Sequence, residues 1–161
     1  MPTSSVMACV AFGANLGDAV ATVQQALRDM AALPETQLFK ASSLYRSAPY
    51  EAQGPDFINA VALIQTQLGP LALLHALQAL ELQSGRERPY KNAPRTLDLD
   101  VIFYGDVSLE SPELTLPHPR WQERAFVLQP LAEVWPERVS ALQLAAVQDQ
   151  AIQHINPQDL P

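Results

Sequence analysis

The order of secondary-structure patterns along the chain predicts an α+β fold. Six segments follow one another as strand, helix, strand, strand, helix and strand, and a helical portion comes after them. In a βαββαβ order the two helices pack on one face of an antiparallel sheet, which is a ferredoxin-like arrangement, here with an additional C-terminal helical segment. Since no repeat or linker divides the 161 residues, we expect one domain over residues 1–161, with a site on the sheet face opposite the helices.

Composition, charge and cysteine content exclude several classes of protein. Hydrophobic residues make up 48% of the chain and charged residues 17%, as in globular proteins, and no apolar run approaches the roughly 20 residues of a membrane span. The formal net charge of −7 argues against general nucleic-acid binding. Cys9 is the one cysteine, which excludes an internal disulfide and a multi-cysteine zinc site. The start has no pattern of a signal peptide, so we expect a cytoplasmic protein. We further expect a monomer without a nucleic-acid or membrane partner.

The first strand, helix and second strand are predicted from short local patterns. The apolar run Val6 to Phe12 predicts a buried strand, which ends at a glycine-containing turn. Asp18 is placed to cap a helix that stops at Leu33-Pro34. Gln37 to Ser47 alternates apolar and polar residues and is interpreted as the second strand. The segment Ala48 to Pro55, with two prolines and a glycine, suits a binding loop.

The third strand is predicted over Asp56 to Gln67 and carries Phe57 and Asn59 on one face. An Asn inside an apolar strand needs a partner for its amide, and two interpretations stay open: a structural hydrogen bond to a neighbouring loop, or recognition of a ligand.

The second helix is predicted from Gly69-Pro70 to Gly85, because leucines recur at helical spacing between a proline tolerated in the first turn and a terminal glycine. Gln78 and Glu81 lie three residues apart and therefore share a strip on the surface of this helix, close to the basic segment that follows.

The segment from Gly85 to Gly105 changes character halfway along. Its first half has four basic residues within ten positions and two prolines, so it predicts a basic loop; the basic residues are Arg86, Arg88, Lys91 and Arg95. Its second half has the period of a strand, which puts Asp98 and Asp100 on one face with Cα atoms roughly 6.5 to 7 Å apart. The two carboxylates can converge on a divalent cation, and guanidinium groups beside it would help to hold a polyphosphate. The alternative is a solvated strand face that lies near a basic loop by chance.

The C-terminal third begins with a turn-rich connection from Asp106 to Pro112. Pro117 and Pro119 then fix the backbone on both sides of His118, so its ring is presented from a stiff segment. A helical apolar pattern begins at Phe126, close to Arg120 and Arg124. We interpret His75 as a helix-surface or core residue and His154 as part of an uninformative tail, and we place neither in the site.

These motifs together resemble the 6-hydroxymethyl-7,8-dihydropterin pyrophosphokinases of folate synthesis. The most specific of them is PRTLDLD, which ends at Asp100, and SSLYRS, DFINA, ELQSGRER, LPHPRW and RAFVLQPL support it in the same order, from Gly13 through Pro136. The resemblance implies a single pyrophosphokinase domain that transfers a pyrophosphoryl group from ATP to the hydroxymethyl group of the pterin and releases AMP.

The resemblance also implies roles for individual residues. Asp98 and Asp100 would hold two Mg²⁺ ions that bridge the triphosphate, and would be catalytic together with Arg86 and Arg95. The positions that match the pterin pocket are Ser47, Ala48, Tyr50, Phe57, Asn59 and Phe126. The positions that match the ATP side are Gln78, Glu81, Arg86, Arg88, Arg95, Thr115, His118 and Arg124. The chain departs from the enterobacterial form at Asn92, Glu113 and Pro119, where that form has tryptophan, arginine and tyrosine.

No Ser-His-Asp or Cys-His arrangement suggests a protein nucleophile, so catalysis is expected to rest on alignment and charge neutralisation, without a general base from the protein. Two other functions stay open. One is a small binding module that senses a nucleotide or RNA without turnover, and the other is a metal-dependent phosphohydrolase that uses the same aspartates.

Overall fold

The structure, a computed structural model, describes residues 5–49, 54–84 and 97–160. The helices and strands of the first half are β1 (Val6–Ala14), α1 (Ala19–Ala31), β2 (Thr36–Ala41), β3 (Tyr45–Ser47), β4 (Phe57–Thr66) and α2 (Pro70–Ser84). Those of the second half are β5 (Asp98–Tyr104), β6 (Leu109–Glu110), β7 (Thr115–Leu116), α3 (Ala125–Val134), α4 (Ala141–Ala146) and β8 (Ile152–His154).

The main sheet has the strand order β5-β1-β4-β3-β8, and β2 also pairs with β4. Every pair in it is antiparallel. The predicted α+β fold with an antiparallel sheet is therefore confirmed. The predicted cap of α1 is present as well, since Asp18 Oδ1 accepts a hydrogen bond from Ala21 N at 3.1 Å. None of the helices in the described ranges is both long and apolar enough to cross a lipid bilayer.

The sheet is covered on both faces, and this corrects the expectation that the face opposite the helices is free. Helices α1 and α2 pack on one face, over residues such as Val10 and Ile64. On the other face α3 packs through Leu128 and Leu131 against a second apolar cluster that includes Leu63. Because α3 lies over only part of this face, the rest of it is available for a site.

The predicted second strand is interrupted, so β2 and β3 are separate strands. The step from Ala41 to Tyr45 is four residues, whereas the partner step on β4, from Ala62 to Asn59, is three. One extra residue is therefore inserted. The reason is visible at Ser43, whose N–H donates to the carboxylate of Glu133 on α3 at 2.9 Å instead of pairing with β4.

Strand β5 follows the predicted alternation only as far as Val101. Val101 pairs with Val10 and Phe103 pairs with Cys9, so Ile102 is an extra residue that forms a bulge. Phe103 consequently joins Ile102 on the face covered by α3 instead of lying on the face of Leu99.

Two short pairings were not predicted. The connection predicted as turn-rich contains β6, which forms a hairpin with β7. The C-terminal tail contains β8, which pairs with β3 through Ser47 and Ile152. Each of these strands has two or three residues, too few for a periodic pattern to be read from the sequence.

Candidate active site

One row of residues crosses the sheet on the face that α3 partly covers. The strand registers place Asp98 opposite Gly13, Gly13 opposite Asn59, Asn59 opposite Tyr45, and Tyr45 opposite His154. Directly opposed residues of antiparallel strands have their side chains on the same face. The row therefore runs from a carboxylate, across a glycine without a side chain, to an amide and two aromatic rings.

The glycine of this row forms the floor of a cavity of about 430 Å³. A Cβ atom at Gly13 would lie 3.5 Å from Asn59 Nδ2 and 3.8 Å from a ring carbon of Phe57. The cavity brings together ten of the residues predicted for the site: Ser47, Ala48, Phe57, Asn59, Gln78, Glu81, Asp98, Asp100, Arg124 and Phe126.

A second cavity of about 270 Å³ adjoins the first. It is lined by Thr115 and His118, and Asp100 lines both cavities. Glu113 also lines the second cavity, and its Oε2 lies 2.9 Å from His75 Nε2. The predicted nucleotide-side residues are thus divided between the two cavities, with Asp100 at the boundary.

At the amide end of the first cavity, Asn59 is held by Ser47. The Ser47 hydroxyl donates to Asn59 Oδ1 at 2.6 Å, and Asn59 is only 3% exposed. The amide thus has a structural hydrogen bond, although its partner is on β3 and not on a loop, and the amide also lines the cavity. Because Oδ1 is occupied by Ser47, the Nδ2 group is the end of the amide that faces Gly13.

At the acidic end, Asp98 and Asp100 lie on the same face of β5, as the strand period predicted, and both are half-buried. The residue between them is fixed from α2, since Leu99 N donates to Glu81 Oε2 at 2.8 Å. Glu81 therefore positions the strand that carries the two aspartates.

Arg124 contributes a cation beside this acidic end. Its Nη1 lies 3.9 Å from Asp100 Oδ2, its guanidinium lies 5.4 Å from the centre of the Phe126 ring, and its side chain is 19% exposed. In the part of the chain that the structure describes, Arg124 Nε is the one buried side-chain nitrogen or oxygen without a hydrogen-bond partner. A buried donor in this state is suited to an anionic ligand.

His118 is oriented by two hydrogen bonds. Its backbone N–H donates to Ile102 O at 2.9 Å, and its Nδ1 accepts from Arg120 N at 3.1 Å. Burial lowers the pKa of His118 from its ordinary value of 6.5, Asp100 opposes this, and Arg124 and Arg120 lower the pKa further. The ring is therefore neutral near pH 7, and since Nδ1 is an acceptor, the proton is assigned to Nε2 as a donor.

The residues of the acidic end fit a magnesium site that is completed by a ligand. Within residues 5–49, 54–84 and 97–160, no group of three or more His, Cys, Asp or Glu side chains is arranged as a metal site by itself. Mg²⁺ is commonly held by one or two carboxylates, with substrate phosphates and water in the remaining positions. Two carboxylates on one strand face, with Arg124 beside them, meet this requirement.

Four predicted residues lie outside the described residues: Tyr50, Arg86, Arg88 and Arg95. Among the other residues that line the cavity, sequence reasoning missed the contribution of Gly13 and of Arg120. Gly13 was assigned to a turn, but it lies within β1, and Arg120 was noted near His118 without a role. The signal for Gly13 is the strand register, which a single sequence does not contain, whereas Arg120 is part of the motif LPHPRW.

Comparison with known families gives one consistent match. A family model described as 7,8-dihydro-6-hydroxymethylpterin-pyrophosphokinase (HPPK) matches residues 9–136. The 2-amino-4-hydroxy-6-hydroxymethyldihydropteridine pyrophosphokinase of Pseudomonas aeruginosa is 48% identical over 129 residues, which cover 80% of each chain. The protein of the same name from Haemophilus influenzae is 42% identical over 130 residues, which cover 80% of this chain and 81% of that protein.

Solved structures share the fold at low identity. An HPPK-DHPS protein in complex with substrates superimposes with a TM-score of 0.68 and 12% identity, over 91% of this chain and 43% of that one. Wild-type HPPK-DHPS of Plasmodium falciparum gives a TM-score of 0.65 at 12% identity, over 82% of this chain and 41% of that one. The chain thus spans less than half of these solved chains, and at such identity the likeness concerns the fold alone.

Proposed function

Because the chain belongs to the 7,8-dihydro-6-hydroxymethylpterin-pyrophosphokinase family, we propose that its larger cavity binds the pterin at the Asn59 end and the triphosphate of ATP at the Asp98 and Asp100 end. The reaction of the family, transfer of a pyrophosphoryl group from ATP to hydroxymethyldihydropterin in folate biosynthesis, is the activity of this chain. The proposal concerns the parts that its residues play.

The observation that carries the proposal is the row Asp98, Gly13, Asn59. Asn59 and Asp98 lie on strands that are two positions apart in the sheet, which puts their Cα atoms roughly 10 Å apart at about 4.8 Å per strand spacing. A flat two-ring heterocycle with a one-carbon substituent fits this span. If its polar edge pairs with Asn59, its hydroxyl lies beside the aspartates.

The walls of the cavity suit the two proposed ligands. Phe57 and Phe126 supply aromatic rings near Asn59, and such faces can stack on a flat heterocycle. Arg124 supplies a buried Nε–H without a partner in the described residues, and a phosphate oxygen would satisfy it. His118 Nε2 and Thr115 offer further donors in the adjoining cavity, where we place the nucleoside side of ATP, and Gln78 and Glu81 would contact it from the wall of the larger cavity.

Asp98 and Asp100 are proposed to hold two Mg²⁺ ions. When bound, the ions would neutralise charge on the phosphate oxygens. Arg86, Arg88 and Arg95, which lie outside the described residues, are assigned to the phosphates from the sequence. We treat residues 1–161 as one pyrophosphokinase unit that acts as a monomer.

In this arrangement the protein works by alignment. Asn59 and the aromatic rings orient the pterin, and the acidic end and Arg124 orient the triphosphate, so that the hydroxyl oxygen faces the β-phosphorus. The new bond joins the hydroxyl oxygen of the pterin to the β-phosphorus. The bond between the β-phosphorus and the α,β-bridging oxygen breaks, and AMP leaves with the bridging oxygen. The hydroxyl proton is released to solvent, since no protein group is assigned as its base.

A labelling experiment tests the reaction. The chain is incubated with γ-labelled ATP, Mg²⁺ and the hydroxymethyl dihydropterin, and the nucleotides are separated. We expect AMP to form in step with product and the label to move to the pterin. Formation of ADP in step with product would contradict attack at the β-phosphorus, and phosphate release without the pterin would point to a phosphohydrolase.

A further inference from the structure

We propose that Glu133 of α3, which does not line the cavity, is a positioning residue for the pair Ser47 and Asn59, and therefore for recognition of the pterin. The inference rests on the proposed function, because it requires that the Asn59 end of the cavity receives the pterin. It adds a residue of α3, the helix that partly covers the same sheet face, and this residue lies outside the sequence motifs that carry the family resemblance.

The Glu133 carboxylate connects α3 to the chain segment that enters β3. It accepts hydrogen bonds from Ser43 N at 2.9 and 3.1 Å, from the Ser43 hydroxyl at 3.0 Å and from the Tyr45 hydroxyl at 2.7 Å. Ser43 and Tyr45 are thus both hydrogen-bonded to Glu133, a side chain of the helix that lies over the sheet.

The bonds to Glu133 are charge-assisted. Partial burial acts to raise the pKa of Glu133, but hydrogen bonds from Tyr45 and Ser43, together with nearby His154, outweigh it and lower the pKa. Burial raises the pKa of Tyr45, and the bond to Glu133 raises it further, so the Tyr45 hydroxyl keeps its proton and donates it. A charged acceptor makes such bonds stronger than neutral ones.

From Tyr45 the connection reaches the cavity in one step. Tyr45 is the register partner of Asn59 and is buried, and Ser47 lies two residues further on the same face, where its hydroxyl donates to Asn59 Oδ1. Strand β3 has only three residues, so its position depends on contacts from outside the strand. Glu133 holds it from above, while β8 pairs with its outer edge.

The inserted residue between β2 and β3 makes this position sensitive to Glu133. Without Glu133, the Ser43 N–H loses its acceptor, and the chain before β3 can form other pairings with β4. A slip of one residue would turn Ser47 to the opposite face of the sheet. Asn59 would then lose the donor that fixes which end of its amide faces Gly13, and the pterin edge would meet an amide of undefined orientation.

Steady-state kinetics of three variants test the proposal. We expect Glu133→Ala to raise KM for the pterin roughly tenfold, the effect of one misplaced polar contact, with KM for ATP within about twofold of the wild-type value. Glu133→Gln keeps an acceptor oxygen for Tyr45 and should restore part of the loss. Glu137→Gln removes an exposed carboxylate from the turn after α3 and is the matched control, for which both KM values should remain at wild type.

A double-mutant cycle with Asn59→Ala separates positioning from general stability. If Glu133 acts through Asn59, Glu133→Ala should change pterin KM by less than about twofold when Asn59 is already Ala, whereas independent effects would multiply. A full additional loss in the Asn59→Ala background, or equal rises of both KM values in Glu133→Ala, would overturn the proposal. If Glu133→Ala does not fold, Tyr45→Phe replaces it in the cycle, because it removes only the hydroxyl that bonds Glu133.

The variants distinguish a wrong assignment of the pterin site from a wrong role for Glu133. If Asn59→Ala leaves pterin KM unchanged, the pterin does not lie at this end of the cavity and the proposed function of the site is wrong. If Asn59→Ala raises pterin KM but Glu133→Ala and Tyr45→Phe do not, the site assignment stands and the role of Glu133 is refuted.

Discussion

Replacing Gly13 with Ala should raise the free energy of unfolding and weaken the affinity for the pterin. The added Cβ would stand 3.5 Å from Asn59 Nδ2 and 3.8 Å from the Phe57 ring, which are ordinary van der Waals distances, so the fold accepts it without strain. Replacing Gly by Ala at a compatible position raises the free energy of unfolding by about 0.4 to 1 kcal/mol, because the unfolded chain loses conformational freedom. For a chain of this size that corresponds to a rise in melting temperature of roughly 1 to 4 °C.

The same methyl group fills the floor of the cavity. Its carbon stands roughly 1.5 Å above the Cα atom, so a ring that rests on Gly13 must move outward by about that distance or overlap with it. Overpacking of this kind costs about 1 to 3 kcal/mol, which corresponds to a roughly 5- to 150-fold weaker affinity for the pterin. The affinity for ATP, which we place at the acidic end, should change much less.

The assay is a thermal melt together with the KM for each substrate, with Gly69→Ala as the control. Gly69 precedes α2, and a Cβ there would meet no atom within 4 Å. The control should therefore leave both KM values unchanged. A Gly13→Ala enzyme that melts higher but has wild-type pterin KM would show that the pterin does not lie over Gly13, and the row would lose its role in the proposed function.

Three further predictions follow from the described contacts. Asp98→Ala and Asp100→Ala should each lower turnover by at least about a thousandfold at saturating Mg²⁺, while both variants melt near the wild-type temperature. Turnover near the wild-type value in either variant would refute the magnesium assignment. Glu81→Ala should lower the free energy of unfolding in urea by about 1 to 3 kcal/mol, because Leu99 N loses its acceptor; an unchanged unfolding midpoint would refute this. The pKa of Glu133 is lowered from 4.5, so the stability that its charged form contributes is present above pH 4.5 and is lost as the pH falls through the lowered value. In Glu133→Gln the free energy of unfolding should therefore fall less steeply below pH 4.5. The same pH dependence in the variant and the wild type would contradict this.

The sequence was most informative where a single strand carries its own pattern. Asp98 and Asp100 could be placed on one face because alternation within a strand needs no knowledge of its neighbours. The bulge at Ile102 could not be predicted in the same way, since it is defined by the register against Cys9 and Val10 of another strand. The shared face of the two aspartates is therefore confirmed, whereas simple alternation along the strand would put Phe103 on the face of Leu99, which the bulge prevents.

Long-range partners explain the other errors. The break between β2 and β3 depends on Glu133, which lies 90 residues from Ser43 in the chain, and the serines at the break do not by themselves indicate an interruption. Likewise, that Gly13 forms the floor of a cavity depends on Asp98 and Asn59 lying on the two neighbouring strands. Propensity and periodicity act over a few residues, whereas these features arise from tertiary pairing.

The irregular pairing along β4 also affects how the protein behaves at high concentration. Among the described strands, β2 pairs only with β4, so its outer edge can accept a strand from another molecule, and Phe39 on it is 62% exposed. A register shift between Leu38 and Lys40, in addition to the inserted residue before β3, bends this edge, and Lys40 places a cation near its end. A bent, charged edge is a poor template for intermolecular sheet formation. The inserted residue that sets the position of Ser47 and the register shift within β2 thus also act against aggregation, and deleting either extra residue to straighten the strand would be expected to lower the solubility of the protein.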